Sequence, residues 1–287
     1  MSRTLAAALA CQHPVRRGDD VPGAQTERIH QLGRLSRLPE AVVDRDQFDR
    51  HRMGLHHDLG HRAADQIRVT VAYTNLNVEI AGAHGGISVG PDGATHQAME
   101  EISIIRSIPN MSMIVPCDYW ETYKATVAAA RHRGPVYIRF GREDVPVVTA
   151  KETPFTFGKG EVFAEGKDLT LIACGVMVYE ALRARETLAQ SGVTARVVDL
   201  HTVKPLDRAL IERCARETGA IVTAEEHQVN GGLGGAVSEV VVQTCPVPME
   251  LVAVHDRFGQ SGKPAELMDA FNRRGNVLTH QDRFCVE

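Results

Sequence analysis

Asp92 and His96 stand four residues apart in PDGATHQAME (91–100), around a Gly-Ala-Thr step and just ahead of Glu100 and Glu101. A carboxylate and an imidazole at that spacing can act together: the acid orients the ring or takes a sugar hydroxyl, and the ring moves a proton. The same residues also suit a capped turn in which Asp92 is solvated and His96 incidental. Thr95 is a good N-cap for a helix predicted over 96–108, and Glu100 and Glu101 then fall in its early turns, where carboxylates suit the positive end of the helix dipole. At such an N-terminus His96 is expected to be neutral and able to donate or accept a proton.

The preceding stretch, AGAHGGISVGPDG (81–93), favours an assembled site. A strand running into a Gly-rich loop puts His84 at the carboxyl edge of a sheet, where open α/β folds take their ligands, and His84, Asp92 and His96 can then converge. Arg139 closes another strand in YIRFGRE. Its guanidinium could hold a phosphate or carboxylate in two-point contact, or pair with Glu143 or Asp144. Two other motifs read as structural. NGGLGGAVSE (230–239) fails the dinucleotide fingerprint, with Val237 at the third glycine position, and suits a tight turn with close helix packing. Glu225, Glu226 and His227, consecutive at a strand end, cannot all face one ion.

These residues need a frame, and from Gly60 onward the sequence supplies one. Helical spacing over 62–73 precedes an apolar strand at 77–83, the helix over 96–108 precedes a strand at 111–116, and a helix over 118–133 precedes a strand at 135–140. A Pro-containing, weakly periodic stretch, 143–155, follows. The alternation then restarts with strands near 168–177, 195–203, 220–227 and 249–255 and helices over 179–190, from about 207 and from 234. Strands alternating with helices predict parallel sheets covered on both faces, in two α/β domains. Residues 1–59 have one aromatic, Phe48, and no sustained period, and are expected to be largely disordered.

Two domains fit a length of 287 residues. A net charge of −4 gives no electrostatic footprint for nucleic acid or an anionic membrane. The six cysteines are dispersed, with no C-x-x-C pair and no Cys/His cluster at zinc spacing, which suits reduced thiols in the cytoplasm. No apolar run reaches membrane-spanning length.

With these stretches in hand, the chain resembles the C-terminal section of transketolases, thiamine diphosphate enzymes of carbohydrate metabolism (the pentose phosphate reactions) that move two-carbon ketol units between sugar phosphates. The resemblance rests on RAADQIRVTVAYTNLNVEIAGAHGGISVGPDGATHQAMEEISIIRSIPNMSMIVPCD, PVYIRFGRE, HTVKPLD and EEHQVNGGLGGAVSE, and covers roughly residues 60–287. It implies an atypical segment, 1–59, a truncated pyrimidine-binding domain over 60–145, a linker over 146–155 and a smaller α/β C-terminal domain over 156–287. By motif position, His84 and Arg139 would grip the sugar phosphate, while Asp92 and His96 would contact hydroxyls near the reacting carbons.

The resemblance also implies partners. The Gly-Asp-Gly and Asn magnesium motif is absent from this sequence, so thiamine diphosphate would be shared with an N-terminal transketolase subunit that holds the Mg2+, in a homo- or hetero-oligomer. The family's Gly-Ile-Ala-Glu-Gln element, whose glutamate activates the cofactor's aminopyrimidine, has no match in residues 1–59; Glu40 is the nearest acid, in foreign surroundings. That departure leaves a non-catalytic assembly subunit as the alternative from another class. Deoxyxylulose-phosphate synthase-like and 2-oxoacid dehydrogenase β-like subunits are the enzymatic rivals, and D-G-A-T-H-Q with R-F-G-R favours transketolase over both.

Overall fold

The computed structural model describes residues 63–271, together with the backbone of a strand, β1, at His51–Leu55. Two five-stranded sheets organise the chain. The first runs β1, β2 (Val78–Gly82), β4 (Val136–Arg139), β3 (Ser112–Ile114) and β8 (Thr202–Lys204), parallel except for β8, which lies antiparallel to β3. The second runs β10 (Met249–Val254), β9 (Ile221–Gln228), β6 (Leu169–Ala173), β7 (Ala195–Asp199) and β5 (Glu161–Ala164), with β5 antiparallel at its edge.

The inner strands are buried along all or nearly all of their length. VYIR, LTLIA and ARVVD show no alternation of burial, as expected of strands covered on both faces. The covering helices are α1 (Ala64–Gln66, continued as a π-helix over Ile67–Ala72), α2 (Glu101–Ser107), α3 (Tyr119–Arg131), α4 (Met177–Gln190), α5 (Arg208–Thr218), α6 (Leu233–Thr244) and α7 (Pro264–Ala270). Asp118 caps α3 by accepting from the Glu121 N–H at 3.0 Å, and its second oxygen accepts from the Val148 and Thr149 N–H groups at 2.8 and 2.6 Å. One buried side chain thus fixes both a helix start and the segment leaving the first sheet. A single apolar cluster joins Ile80, Ile102, Ile105 and Tyr137 of the first unit to Ile172, Val198, Ile211 and Val237 of the second.

The parallel α/β architecture follows the sequence pattern, with several differences, among them helix α7, which lies where no helix was expected. The helix expected over 96–108 begins only at Glu101, because Ala98 is taken into a parallel bridge with Gly85: its N–H donates to the His84 carbonyl at 3.0 Å and its carbonyl accepts from the Gly86 N–H at 2.8 Å. The single strand expected over 195–203 is two, β7 and β8, in different sheets. Strand β5 lies where no strand was expected. Strand β1, five residues of the stretch read as largely disordered, pairs in register with β2, His51 opposite Val78. The other residues of that stretch lie outside the described ones.

Candidate active site

The Gly85–Ala98 bridge closes residues 86–97 into a loop at the carboxyl edge of β2. His84 opens it with a left-handed backbone, φ 63°, which turns the chain sharply out of the strand. A short 3-10 segment, Ile87–Asp92, kinks at Gly90, where φ is 80°. Asp92 ends the segment, and its carboxylate accepts a hydrogen bond from Arg142, in an ion pair whose side chains are 34% and 41% exposed. His96 follows in a turn, its Nδ1 3.0 Å from the Thr95 hydroxyl. Because α2 starts five residues later, His96 is not at a helix N-terminus and Thr95 does not cap α2; the dipole argument for a neutral ring therefore does not apply. Asp92 and His96 nevertheless share the closed loop, and His84 stands just before the bridge that closes it.

Arg139 is placed differently. It is 5% exposed and lies beneath the loop, donating through Nε to Glu101 and through Nη2 to the carbonyls of Ala98 at 3.1 Å and Glu226 at 2.8 Å. Its partner is neither Glu143 nor Asp144. Burial opposes its charge, but the adjoining Glu101 carboxylate outweighs that and holds the guanidinium pKa above its ordinary range. Gly85 is required above it, since a Cβ there would come within 2.8 Å of the guanidinium. The arginine at the exposed edge is Arg142, three residues further on and past the end of β4. Sequence reasoning missed it; the available signal was that an arginine inside an otherwise buried strand must find a carboxylate, leaving the one after Gly141 for the surface.

The three consecutive polar residues of β9 face three different elements. Glu225 accepts from the N–H groups of Leu233 and Gly234 at 2.7 and 2.9 Å, closing the N-terminus of α6, and a Cβ on Gly232 would strike its carboxylate. Gly232 of NGGLGG therefore makes room for this carboxylate. Glu226 accepts from the Ser88 N–H and, at 3.1 Å, from its hydroxyl, anchoring the closed loop. His227 accepts from the Ile102 N–H at Nε2, 3.1 Å, so its proton is on Nδ1, which donates to the Gln228 carbonyl at 2.8 Å.

Two of these groups titrate in opposition. Burial raises the Glu225 pKa to about 7 against the donors of α6, and burial lowers the His227 pKa to about 3, helped by Arg139. From about pH 4.3 to about 7 the folded chain holds a proton on Glu225 that the unfolded chain has released, so this group makes stability fall as pH rises. From about 3 to an unfolded value of about 6.5 the unfolded chain holds a proton that buried His227 lacks, so stability rises with pH. The slopes cancel where the ranges overlap. Relative to the unsubstituted chain, Glu225→Gln is expected to add a rise of stability with pH between about 4.5 and 6.5, and His227→Gln to add a fall; urea unfolding across that range measures both slopes.

Sequence spacing also hid a cluster beside this edge. Cys117, Glu121 and Asp199, all buried, bring ligand atoms within 4.8 Å of one another. Glu121 accepts from the Cys117 N–H at 2.7 Å, and the Asp199 carboxyl lies against the Glu121 carboxyl and the Cys117 thiol. Burial and then the Glu121 charge push the Asp199 carboxyl well up, and burial raises the Glu121 carboxyl as well.

Two largely parallel, covered sheets, with a polar loop closed at the carboxyl edge of one and buttressed by the other, define a two-domain α/β protein. Residues 53–148 match the transketolase pyrimidine-binding domain and residues 158–274 the transketolase C-terminal domain. The chain belongs to the transketolase family. It is 43% identical over 220 residues to a Methanocaldococcus jannaschii protein described as a transketolase C-terminal section, covering 76% of this chain and 69% of that one. It is 43% identical to the 6-deoxy-6-sulfo-D-fructose transketolase subunit SqwH of Clostridium sp. strain MSTE9, over 73% of this chain and 65% of the relative. An apulose-4-phosphate transketolase subunit of Phocaeicola vulgatus is 38% identical, over 72% and 66%. Among solved structures, a split-gene transketolase in the form of an inactive β4 tetramer superposes with a TM-score of 0.75 at 42% identity, over 80% of this chain and 73% of that one. Against full-length human and rat transketolases the chain spans 34% of their length. Among the described residues no helix is long and apolar enough to cross a membrane.

Proposed function

We propose that this chain is the C-terminal subunit of a split transketolase and transfers a two-carbon ketol unit between sugar phosphates together with a separate N-terminal subunit. The observation that carries the reading is the closed loop 86–97 at the sheet's carboxyl edge, which holds Asp92 and His96 together with an exposed-edge Arg142. Its relatives named as separate transketolase sections and subunits support the division of labour.

The family depends on thiamine diphosphate, which supplies the carbon–carbon bond chemistry when bound. The carboxylates buried along this edge are already committed: Glu101 to Arg139, Glu225 to α6, Glu226 to Ser88, and Asp118 to α3 and residues 148–149. In this reading the N-terminal subunit holds Mg2+ and the diphosphate, and no cofactor-binding residue is assigned on this chain; the buried Cys117, Glu121 and Asp199 are the described side chains that come together as potential ligands. What the chain itself does is bind and orient sugar. His84 and Asp92 take hydroxyls at the loop's two shoulders, and His96 moves a proton at a hydroxyl next to the reacting carbon.

The phosphate contact belongs to Arg142, with Arg139 setting the loop from below. Asp92 keeps the Arg142 fork aimed at the edge until an anion arrives, and a phosphate satisfies a guanidinium with two parallel N–H donors. The cytoplasm, where sugar phosphates are made and used, is the compartment this reading requires.

The experiment is reconstitution. The chain is combined with its N-terminal subunit, thiamine diphosphate and Mg2+, and ketol transfer from a ketose phosphate to an aldose phosphate is followed. Activity that needs both subunits is the expected result, and the chain alone is expected to show none. A well-formed complex with no transfer would instead assign the chain a non-catalytic assembly role.

A further inference from the structure

We infer that Gln97, clamped by the loop Arg257–Gly262 of the C-terminal domain, is a positioning residue that sets the geometry of Asp92 and His96. The inference rests on the reading that these two residues handle the sugar. Gln97 is 5% exposed and one peptide bond from His96. Its amide nitrogen donates to the carbonyl of Ile87 at 3.0 Å and to that of Gln260 at 3.0 Å. One side chain therefore ties the beginning of the site loop, its end and the second domain into one hydrogen-bonded junction.

The fit around that junction has little slack. A Cβ on Gly259 would lie 1.6 Å from the Gln97 amide oxygen, and one on Gly93 would lie 2.4 Å from the Ser261 hydroxyl oxygen, so the two loops touch at the residue after Asp92 and at the residue after His96. Ile87 is fully buried in the cluster that contains Leu267, Met268 and Phe271 of α7 and its end. The clamping loop is itself fixed. Arg257 lies over the Phe271 ring at 3.8 Å and donates to the Ala270 carbonyl at 3.0 Å, and the Gln228 amide donates to the Arg257 carbonyl at 2.8 Å. A catalytic pair carried on a loop gains its precision from whatever immobilises the loop, and here that is the C-terminal domain.

Two substitutions attack the junction from opposite sides. Gln97→Ala removes the amide, and Gly259→Ala drives a methyl group into it. In the full chain each should raise backbone hydrogen exchange across residues 86–96 while leaving the strands β6 and β9 protected as before. In the complex with the N-terminal subunit each should lower turnover about tenfold while the Michaelis constant for the sugar phosphate stays within about twofold. The double variant should be no worse than the more impaired single one, because both act through one contact. Additive losses, a rise in the Michaelis constant without a fall in turnover, or unchanged exchange over 86–96 in Gln97→Ala would overturn the inference. Should Gly259→Ala not fold, Gln97→Ala alone decides through exchange and the turnover split. Absence of transfer by the unsubstituted complex would sink the proposed function, and exchange in the chain by itself would still decide whether the clamp exists.

Discussion

Arg139→Met is expected to cost roughly 3–5 kcal/mol of folding stability, the range seen when one partner of a buried ion pair is removed. The loss has three sources. Glu101, 3% exposed, keeps a carboxylate with no cation beside it, the Glu226 carbonyl loses its Arg139 donor, and the Ala98 carbonyl is left with the Gly86 N–H. Burial already pushes the Glu101 carboxyl up, so in the variant it will take a proton more readily and part of the cost will appear as pH dependence. A second substitution, Glu101→Met, should recover part of the loss, because an apolar pair replaces an orphaned charge; the two carbonyls limit the recovery. Urea unfolding of the single and double variants measures all of this. A single variant as stable as the original chain, with only a raised Michaelis constant for sugar phosphates, would return Arg139 to the phosphate and take Arg142 away from it.

His96→Ala should lower turnover of the reconstituted complex by about 10²–10⁴-fold, the usual worth of a positioned proton-transfer group, with a much smaller change in the Michaelis constant. The contrast with Arg142→Ala makes the prediction specific. Arg142 is 41% exposed and pairs with Asp92 at the edge of the loop, so its removal should mainly raise the Michaelis constant for phosphorylated substrates and leave stability within about 0.5 kcal/mol. Steady-state kinetics with paired phosphorylated and unphosphorylated substrates separates the two effects. If both variants behaved alike toward all substrates, neither residue would be where the reaction takes place.

The alternation of apolar runs and helical spacing carried enough information to read two parallel α/β units, because strands covered on both faces cannot hide their composition. The Gly-rich exit from β2 was equally legible, and it located the loop that follows His84 and carries Asp92 and His96. What could not be read was any partner brought in from far along the chain. Nothing near Arg139 points to Glu101, 38 residues away, or to the carbonyl of Glu226, 87 residues away. Local propensity gave the stretch after His96 to a helix, and a bridge between Ala98 and Gly85 prevented it. Likewise ARVVDLHTV has the composition of one strand, but the chain leaves one sheet after Asp199 and enters the other at Thr202.

That crossing bears on how genes of this kind can be recombined. Strand β8 follows the second sheet's β7 in sequence but completes the first sheet, with Lys204 opposite Met113 and the Val115 N–H donating to the His201 carbonyl at 2.7 Å. A chimera joined in the Pro-containing stretch 143–155 would therefore take the edge strand of its first sheet from the other parent. Exchange at that junction should succeed between relatives that agree at β3 and β8 and fail between those that do not. The inheritable module is the pair of sheets together, whatever the loop between them suggests.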